Sequence, residues 1–423
     1  MTTTTLPVQP DDVVAAREIL RDVITPTPLM YSRALSEQIG GPVYLKCENL
    51  QRTGSFKVRG AYARIARLSE AERARGVVAA SAGNHAQGVA LASGLLGIRA
   101  TVVMPERAPI PKVEATRGYG ADVVLHGSSV EDSLAEALRF AERTGSVFIH
   151  PFDHADVIAG QGTLGYEIIE QCPQVKTILV PVGGGGLAAG VTVAAKSLDP
   201  DVRVVGVQAA AVAPYPASLA AGRPLPAVGR PTMADGIAVQ RPGDLPLGIL
   251  SAQGTGVVTV SESALSRALL LCLERAKQVV EPAGAATVAA LLSLGDSGAD
   301  MTGARGSVGA IRAKIKPPVV AVLSGGNIDP LLLSKLLRHG LSASGRFLGI
   351  RCRVPDHPGS LAELLGYLAR LGTNVLEVSH ERLAPSLRVD EAEVVLQVET
   401  RGPEHCADVK TKLQAAGYSP LFS

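Results

Sequence analysis

A chain of 423 residues with Lys+Arg 41 against Asp+Glu 39 carries a net charge of +2, which gives no electrostatic reason to bind nucleic acid or a membrane. It is 46% hydrophobic but only 3% aromatic, without Trp, so its core must be aliphatic, and Gly 45 with Pro 28 suits an α/β protein with many short turns. Five scattered cysteines (Cys47, Cys172, Cys272, Cys352, Cys406) without CxxC spacing, no visible leader and no apolar run of roughly 20 residues argue against zinc, disulfides, secretion and membrane spans, so a cytoplasmic protein is expected.

In chain order, residues 1–10 read as frayed. Asp11 to Ile24 has helical spacing, with Val13, Ala16, Leu20 and Val23 on one face, and Thr25-Pro26-Thr27-Pro28 stops it. Val43 to Cys47 reads as a strand. The stretch Thr53 to Ala61 then places one lysine, Lys57, among small residues and glycines ahead of a helical run, Ala61 to Leu68. Strand-like runs follow at 76–80, 100–104, 122–125 and 147–150, with helices at 86–96, 112–119 and 129–143 between them. A second alternation has a helix at 165–171, an apolar strand at 177–182 ending in Gly183-Gly184-Gly185-Gly186, a helix at 187–197 and a strand at 202–208. Residues 212–248, rich in Pro and Gly, read as loop. A strand at 257–260, helices at 261–277 and 281–294, and a Gly-rich surface insertion at 295–318 come next. A strand at 319–323 ends in Ser324-Gly325-Gly326-Asn327, and a helix at 331–339 follows. Such alternation is the signature of doubly wound, mostly parallel sheets. After a linker at 341–346, residues 347–423 show a βαββαβ order, a ferredoxin-like module.

Taken singly, Lys57 reads as a loop lysine, Asn84 as a turn residue, His85 as a structural histidine and the four glycines as a strand-to-helix turn. Open parallel sheets, however, bind ligands beyond the carboxyl ends of their strands. Three such ends carry glycine-rich turns, at Ser81-Ala82-Gly83-Asn84-His85, at Gly183 to Gly186 and at Ser324 to Asn327, so the sheet geometry can gather them beside Lys57. Successive glycine amides ahead of a helix that starts at Leu187 can curl around a phosphate. No Lys-Ser/Thr follows them, which removes a nucleotide-triphosphate loop. A free lysine, with a pKa of roughly 10.4, is a poor nucleophile, but desolvation or linkage to an aldehyde makes it a catalytic group. Pyridoxal phosphate fits all four parts: an aldehyde for Lys57, a phosphate for the glycines, a phenolic oxygen for Asn84 and a ring nitrogen for Ser324.

The segments Ser55-Phe56-Lys57-Val58-Arg59-Gly60-Ala61, Ser81 to Gly88, Gly183 to Leu187 and Ser324 to Asn327 resemble the motifs of fold-type II pyridoxal-phosphate enzymes. The likeness is greatest to the threonine dehydratase (threonine ammonia-lyase) family, with serine racemase and serine dehydratase as neighbours. It covers about residues 10–340, and Asp356-His357-Pro358-Gly359-Ser360-Leu361 resembles an ACT domain. The resemblance implies a catalytic domain over 1–340 (a smaller subdomain about 53–150, the larger from the rest) and an ACT-like regulatory domain over 347–423. It implies that Lys57 holds the cofactor and then takes the substrate Cα proton. Phe56, Asn84, Gly183, Gly184, Gly185, Gly186, Leu187 and Ser324 would surround the cofactor. Ser81, Ala82, Gly83, Asn84 and His85 would hold the substrate carboxylate, with Ser81 also standing where racemases keep their second acid. A neutral Ser324 at the ring nitrogen would favour elimination over transamination. Racemases carry metal-binding carboxylates after the strand that here ends in Gln208, but this chain has Ala209-Ala210-Ala211-Val212, so no metal is expected. A homodimer or homotetramer, with an amino-acid effector at the ACT-like domain, completes the expectation. The alternatives are a serine racemase or hydroxyaspartate dehydratase, and a catalytically dead amino-acid sensor.

Overall fold

Apolar runs with no polar face can be accommodated only where a strand is covered on both sides, and ten strands of this kind or flanking them build two sheets. The computed structural model describes residues 6–295, 315–383 and 387–422, in two units, Met1–Pro330 and Leu331–Ser423. The strands of the first unit are β1 (Leu29–Tyr31), β2 (Val43–Cys47), β3 (Val77–Ala80), β4 (Ala100–Met104), β5 (Asp122–Leu125), β6 (Val147–Phe148), β7 (Thr177–Pro181), β8 (Arg203–Ala209), β9 (Gly256–Val260) and β10 (Val319–Leu323). The larger sheet runs β1-β2-β10-β7-β8-β9, with only β1 antiparallel to its neighbour. The smaller sheet runs β5-β4-β3-β6, all parallel. Each has its own aliphatic core, around Ile178, Val180, Val191, Val320 and Val322 in the first and Ile65, Val77, Val89, Val102 and Met104 in the second.

The helices Lys57–Ala66 and Ala155–Gln171 cross closely. A Cβ on Gly160 would lie 2.6 Å from the Arg59 carbonyl oxygen, so only glycine permits the approach. Beside the crossing lies a fully enclosed ionic network. The Arg59 guanidinium donates to both Glu48 oxygens at 2.7 and 2.8 Å and to Glu167 Oε1 at 2.6 Å. Lys46 Nζ donates to Glu167 Oε2 at 2.7 Å and to the Thr27 carbonyl at 2.7 Å. Two cations and two carboxylates cancel, so no net charge is buried.

Several local readings differ from the structure. Val8 is fully buried in the large-sheet core, so residues 6–9 are packed rather than frayed. The helix carrying the lysine begins at Lys57 itself, four residues before the apolar run at Ala61. Strand β1 and the helix Arg33–Ile39 lie where only a break was read. The stretch 212–248 contains the helices Pro214–Ala221 and Asp244–Ala252 and the turn Asp235–Ile237. Proline suits a first helical turn, where its missing N–H costs nothing, so a Pro-rich stretch is not necessarily a loop. The insertion read at 295–318 lies, from 296 to 314, outside the described residues.

In the second unit, β11 (Phe347–Pro355), β12 (Asn374–Glu381), β13 (Glu391–Glu399) and β14 (Leu421–Phe422) form an antiparallel sheet in the order β12-β13-β11-β14. The alternate residues Ala392, Val394, Leu396 and Val398 of β13 pack on Leu364, Leu368, Val409 and Leu413 of the helices Ser360–Arg370 and Pro403–Ala415. The helix Pro330–Ala343 runs into the expected linker, leaving only 344–346 outside regular structure before β11. No helix among the described residues is long and apolar enough to cross a membrane.

Candidate active site

Lys57 is the first residue of its helix, and the chain before it is stitched to the end of β10. Ser55 pairs with Gly325, the Phe56 amide donates to the Ser324 carbonyl at 3.2 Å, and the Gly326 amide donates to the Gly54 carbonyl at 2.8 Å. The half-buried Lys57 Nζ donates to the Pro151 carbonyl at 3.0 Å. Burial pushes its pKa down to about 8, partly opposed by the Glu281 carboxylate. The amine is therefore far closer to its neutral, nucleophilic form at pH 7 than an ordinary lysine.

The glycine turn follows β7 and packs too tightly for side chains. A Cβ on Gly184 would collide with the Phe152 ring, one on Gly185 (φ +99°) with the Tyr215 hydroxyl, and one on Gly183 would lie 3.1 Å from Ile237 Cα. The buried Tyr215 hydroxyl and the Gly243 amide donate to the Gly184 carbonyl at 2.9 and 3.1 Å, which fixes the turn. Among the described residues, no amide from Gly183 to Leu187 donates to a carbonyl outside the helix Gly186–Leu198. These are donors in want of an anion. Pro151 touches the amine and Phe152 touches the glycine turn, so one dipeptide joins the two. His150 Nδ1 accepts the Phe152 and Asp153 amides at 3.3 and 2.8 Å and shapes that dipeptide. Burial lowers the His150 pKa to about 4, which keeps the accepting ring neutral.

Asn84 opens the helix Asn84–Leu95 at the end of β3. Its Nδ2 donates to Glu281 Oε1 at 2.6 Å, and its Oδ1 accepts from Asn327 Nδ2 at 2.8 Å. Asn327 Nδ2 also donates to the Thr53 carbonyl at 2.6 Å. The amide is thereby oriented, with one Nδ2 hydrogen left over. Glu281 and Asn327 had no role assigned from sequence. Glu281 is 4% exposed. Burial first, then Asp235, lifts its pKa to about 7, against Lys112, Asn84 and Lys57, which lower it.

Ser324 is buried at the end of β10, and its hydroxyl has no partner among the described residues. Nearby, the buried Ser55 Oγ and Thr53 Oγ1 are also without partners. In the loop after β3, Ser81 Oγ accepts the Gly83 amide at 3.1 Å, while Ala82 and Gly83 are part-exposed. The His85 ring turns inward, with Nε2 on the Ile149 carbonyl at 2.9 Å. Its pKa falls to about 3 through burial and then Lys57. That ring is spent on structure, so His85 can offer a ligand its backbone only. At the end of β8, Gln208 Oε1 accepts the Tyr215 amide at 3.1 Å. No group of three or more His, Cys, Asp or Glu that could hold a metal ion occurs among the described residues.

A depressed amine, a close-packed ring of free amides, an oriented carboxamide and an unpartnered neutral hydroxyl are what pyridoxal phosphate requires of its holder, and the residues present fit that group.

Comparison with known proteins agrees. A family profile described as "Pyridoxal-phosphate dependent enzyme" matches residues 20–302. The L-threonine ammonia-lyase of Thermotoga maritima is 48% identical over 408 residues, 96% of this chain and 98% of its own length. Of solved structures, the processed form of threonine deaminase isoform 2 from Solanum lycopersicum superposes with a TM-score of 0.70 at 36% identity, over 78% of this chain and 91% of that one. The serine racemase of Dictyostelium discoideum gives 0.67 at 35% identity, over 76% and 99%. With the amine and the glycine turn joined through Pro151 and Phe152, and with likeness over nearly the whole length, the chain belongs to the pyridoxal-phosphate-dependent enzyme family.

Proposed function

We propose that the chain is a pyridoxal-phosphate-dependent ammonia-lyase that converts L-threonine to 2-oxobutanoate and ammonia, with L-serine to pyruvate as a side activity. The observation that carries it is the Lys57 amine, set at about 8 and tied through Pro151-Phe152 to a glycine turn of free amides. Near-full-length similarity to an L-threonine ammonia-lyase supports the choice of reaction.

Bound pyridoxal phosphate supplies an aldehyde and an electron sink for charge developing at the substrate Cα. Lys57 Nζ would hold the group through its aldehyde, and the same amine is placed to accept the substrate Cα proton. The amides of Gly183 to Leu187 would hold its phosphate. The remaining Nδ2 hydrogen of Asn84 suits the phenolic oxygen, and Phe56 stands beside the lysine. Ser324, unable to act as an acid, would face the ring nitrogen as a neutral partner, which suits elimination over transamination. The loop from Ser81 to His85 receives the substrate carboxylate through backbone and Ser81.

We assign catalysis to the Met1–Pro330 unit and amino-acid regulation to the ACT-like residues 347–423. Such modules commonly act in pairs, which suits a homodimer or homotetramer. Five buried free thiols suit a reducing cytoplasm.

The Lys57→Ala variant is expected to produce no 2-oxobutanoate from threonine and to lose the visible absorption of the bound cofactor. Near-normal turnover in that variant overturns the assignment. Chiral analysis of residual serine measures any racemase activity, the alternative reading.

A further inference from the structure

Lys112 lies on the helix Ile110–Gly118, after β4. A Cβ built on Gly83, in the loop after β3, would lie 3.9 Å from Lys112 Nζ, with no other atom outside Gly83 and its two chain neighbours within 4 Å. The amine therefore stands at that loop. Its ionic partner is Asp235 Oδ2 at 3.3 Å. Asp235 belongs to the turn Asp235–Ile237, which reaches Gly183 through Ile237 and Glu281 through Gly236. The pair thus bridges the helix beside the smaller sheet and a turn resting on the glycine cradle.

The pair is lopsided. The Lys112 side chain is 15% exposed and that of Asp235 62%. An ammonium on a mostly buried side chain, met by one exposed carboxylate at 3.3 Å, keeps capacity for a second anion. An amino-acid substrate brings the missing group, because its α-carboxylate cannot enter a site without a cation or donors to meet it. The cations that pull on the adjoining Glu281 carboxylate are Lys112 and Lys57, and Lys57 is committed to the aldehyde. We propose that Lys112 is the counter-ion of the substrate α-carboxylate, and that Asp235 holds it in place until substrate displaces the pair. This rests on the ammonia-lyase reading above.

The test is titration of the holoenzyme's visible spectrum with two ligands. L-threonine carries the carboxylate, and 1-amino-2-propanol keeps the amine and hydroxyl without it. Lys112→Gln is expected to weaken threonine on the order of 10- to 100-fold while leaving the amino alcohol within about twofold. Lys112→Arg, which keeps the charge, retains the preference, and Asp235→Asn binds threonine as tightly as wild type or more so. Equal weakening of both ligands by Lys112→Gln, unchanged threonine binding, or loss of threonine binding in Asp235→Asn overturns the proposal. Wild-type holoenzyme that responds to neither ligand sinks the ammonia-lyase reading, and this one with it.

Discussion

Glu281 is the residue whose chemistry was least visible in the chain. It is a lone acid before an Ala-rich helix, and its hydrogen-bond partner Asn84 is 197 positions away. Its proton affinity is raised because folding strips its water and sets Asp235 nearby. An acid lifted from 4.5 to about 7 costs the fold nothing below its ordinary pKa. The cost grows as pH climbs and is complete above about 7. Glu281→Gln keeps an acceptor for Asn84 and removes the titration. In cofactor-free protein it is expected to raise the thermal midpoint over wild type at pH 8, by the equivalent of up to about 3 kcal/mol, and to leave it unchanged at pH 4.5. A gain of equal size at both pH values contradicts the raised affinity. Asn327, Lys112 and Asp235 escaped sequence reading for the same reason as Glu281. A polar side chain acquires its role from neighbours distant in the chain, and nothing adjacent announces it. Lys57, which alone reads as a loop lysine, was singled out only together with the three distant glycine-rich turns.

The elements that position the site were more legible than the residues that tune it. Strands covered on both faces appear as unbroken apolar runs, as in β4, β7 and β10, and glycines mark the ends of β7 and β10 at the candidate site. The helices at 214–221 and 244–252 were hidden by prolines that in fact start or sit within first turns. Also hidden was the Arg59–Glu48–Glu167–Lys46 network, since charged residues ordinarily predict surface. That network ties β2, the lysine-bearing helix and the helix Ala155–Gln171 together. Arg59→Met leaves the buried Glu48 without a cation, with the Thr27 hydroxyl alone, and leaves Glu167 to Lys46, and is expected to cost on the order of 3–5 kcal/mol. Arg59→Lys keeps the charge but not the forked geometry, and should lose less. Denaturant midpoints of the two variants check this, and equal loss in both would count against geometry as the reason.

At the scale of the whole chain, the change after residue 346 from strand–helix alternation to a βαββαβ order made a second unit readable, and that unit begins earlier, at Leu331. The exact joint was not, since Gly340 to Ala343 look like a linker yet continue a helix. The second unit has its own core around Leu348, Ile350, Leu364 and Val409. A chain ending at Arg346 is expected to retain threonine turnover and to lose any rate response to isoleucine or valine. A folded but inactive truncation would instead make the tail part of the site. The Pro151-Phe152 dipeptide, meanwhile, serves the amine with its carbonyl and the glycine cradle with its ring. On the roles proposed above, covalent anchorage and ionic grip would share a single mechanical support, so damage to that support is expected to bleach the enzyme on dialysis without any reacting group having been altered.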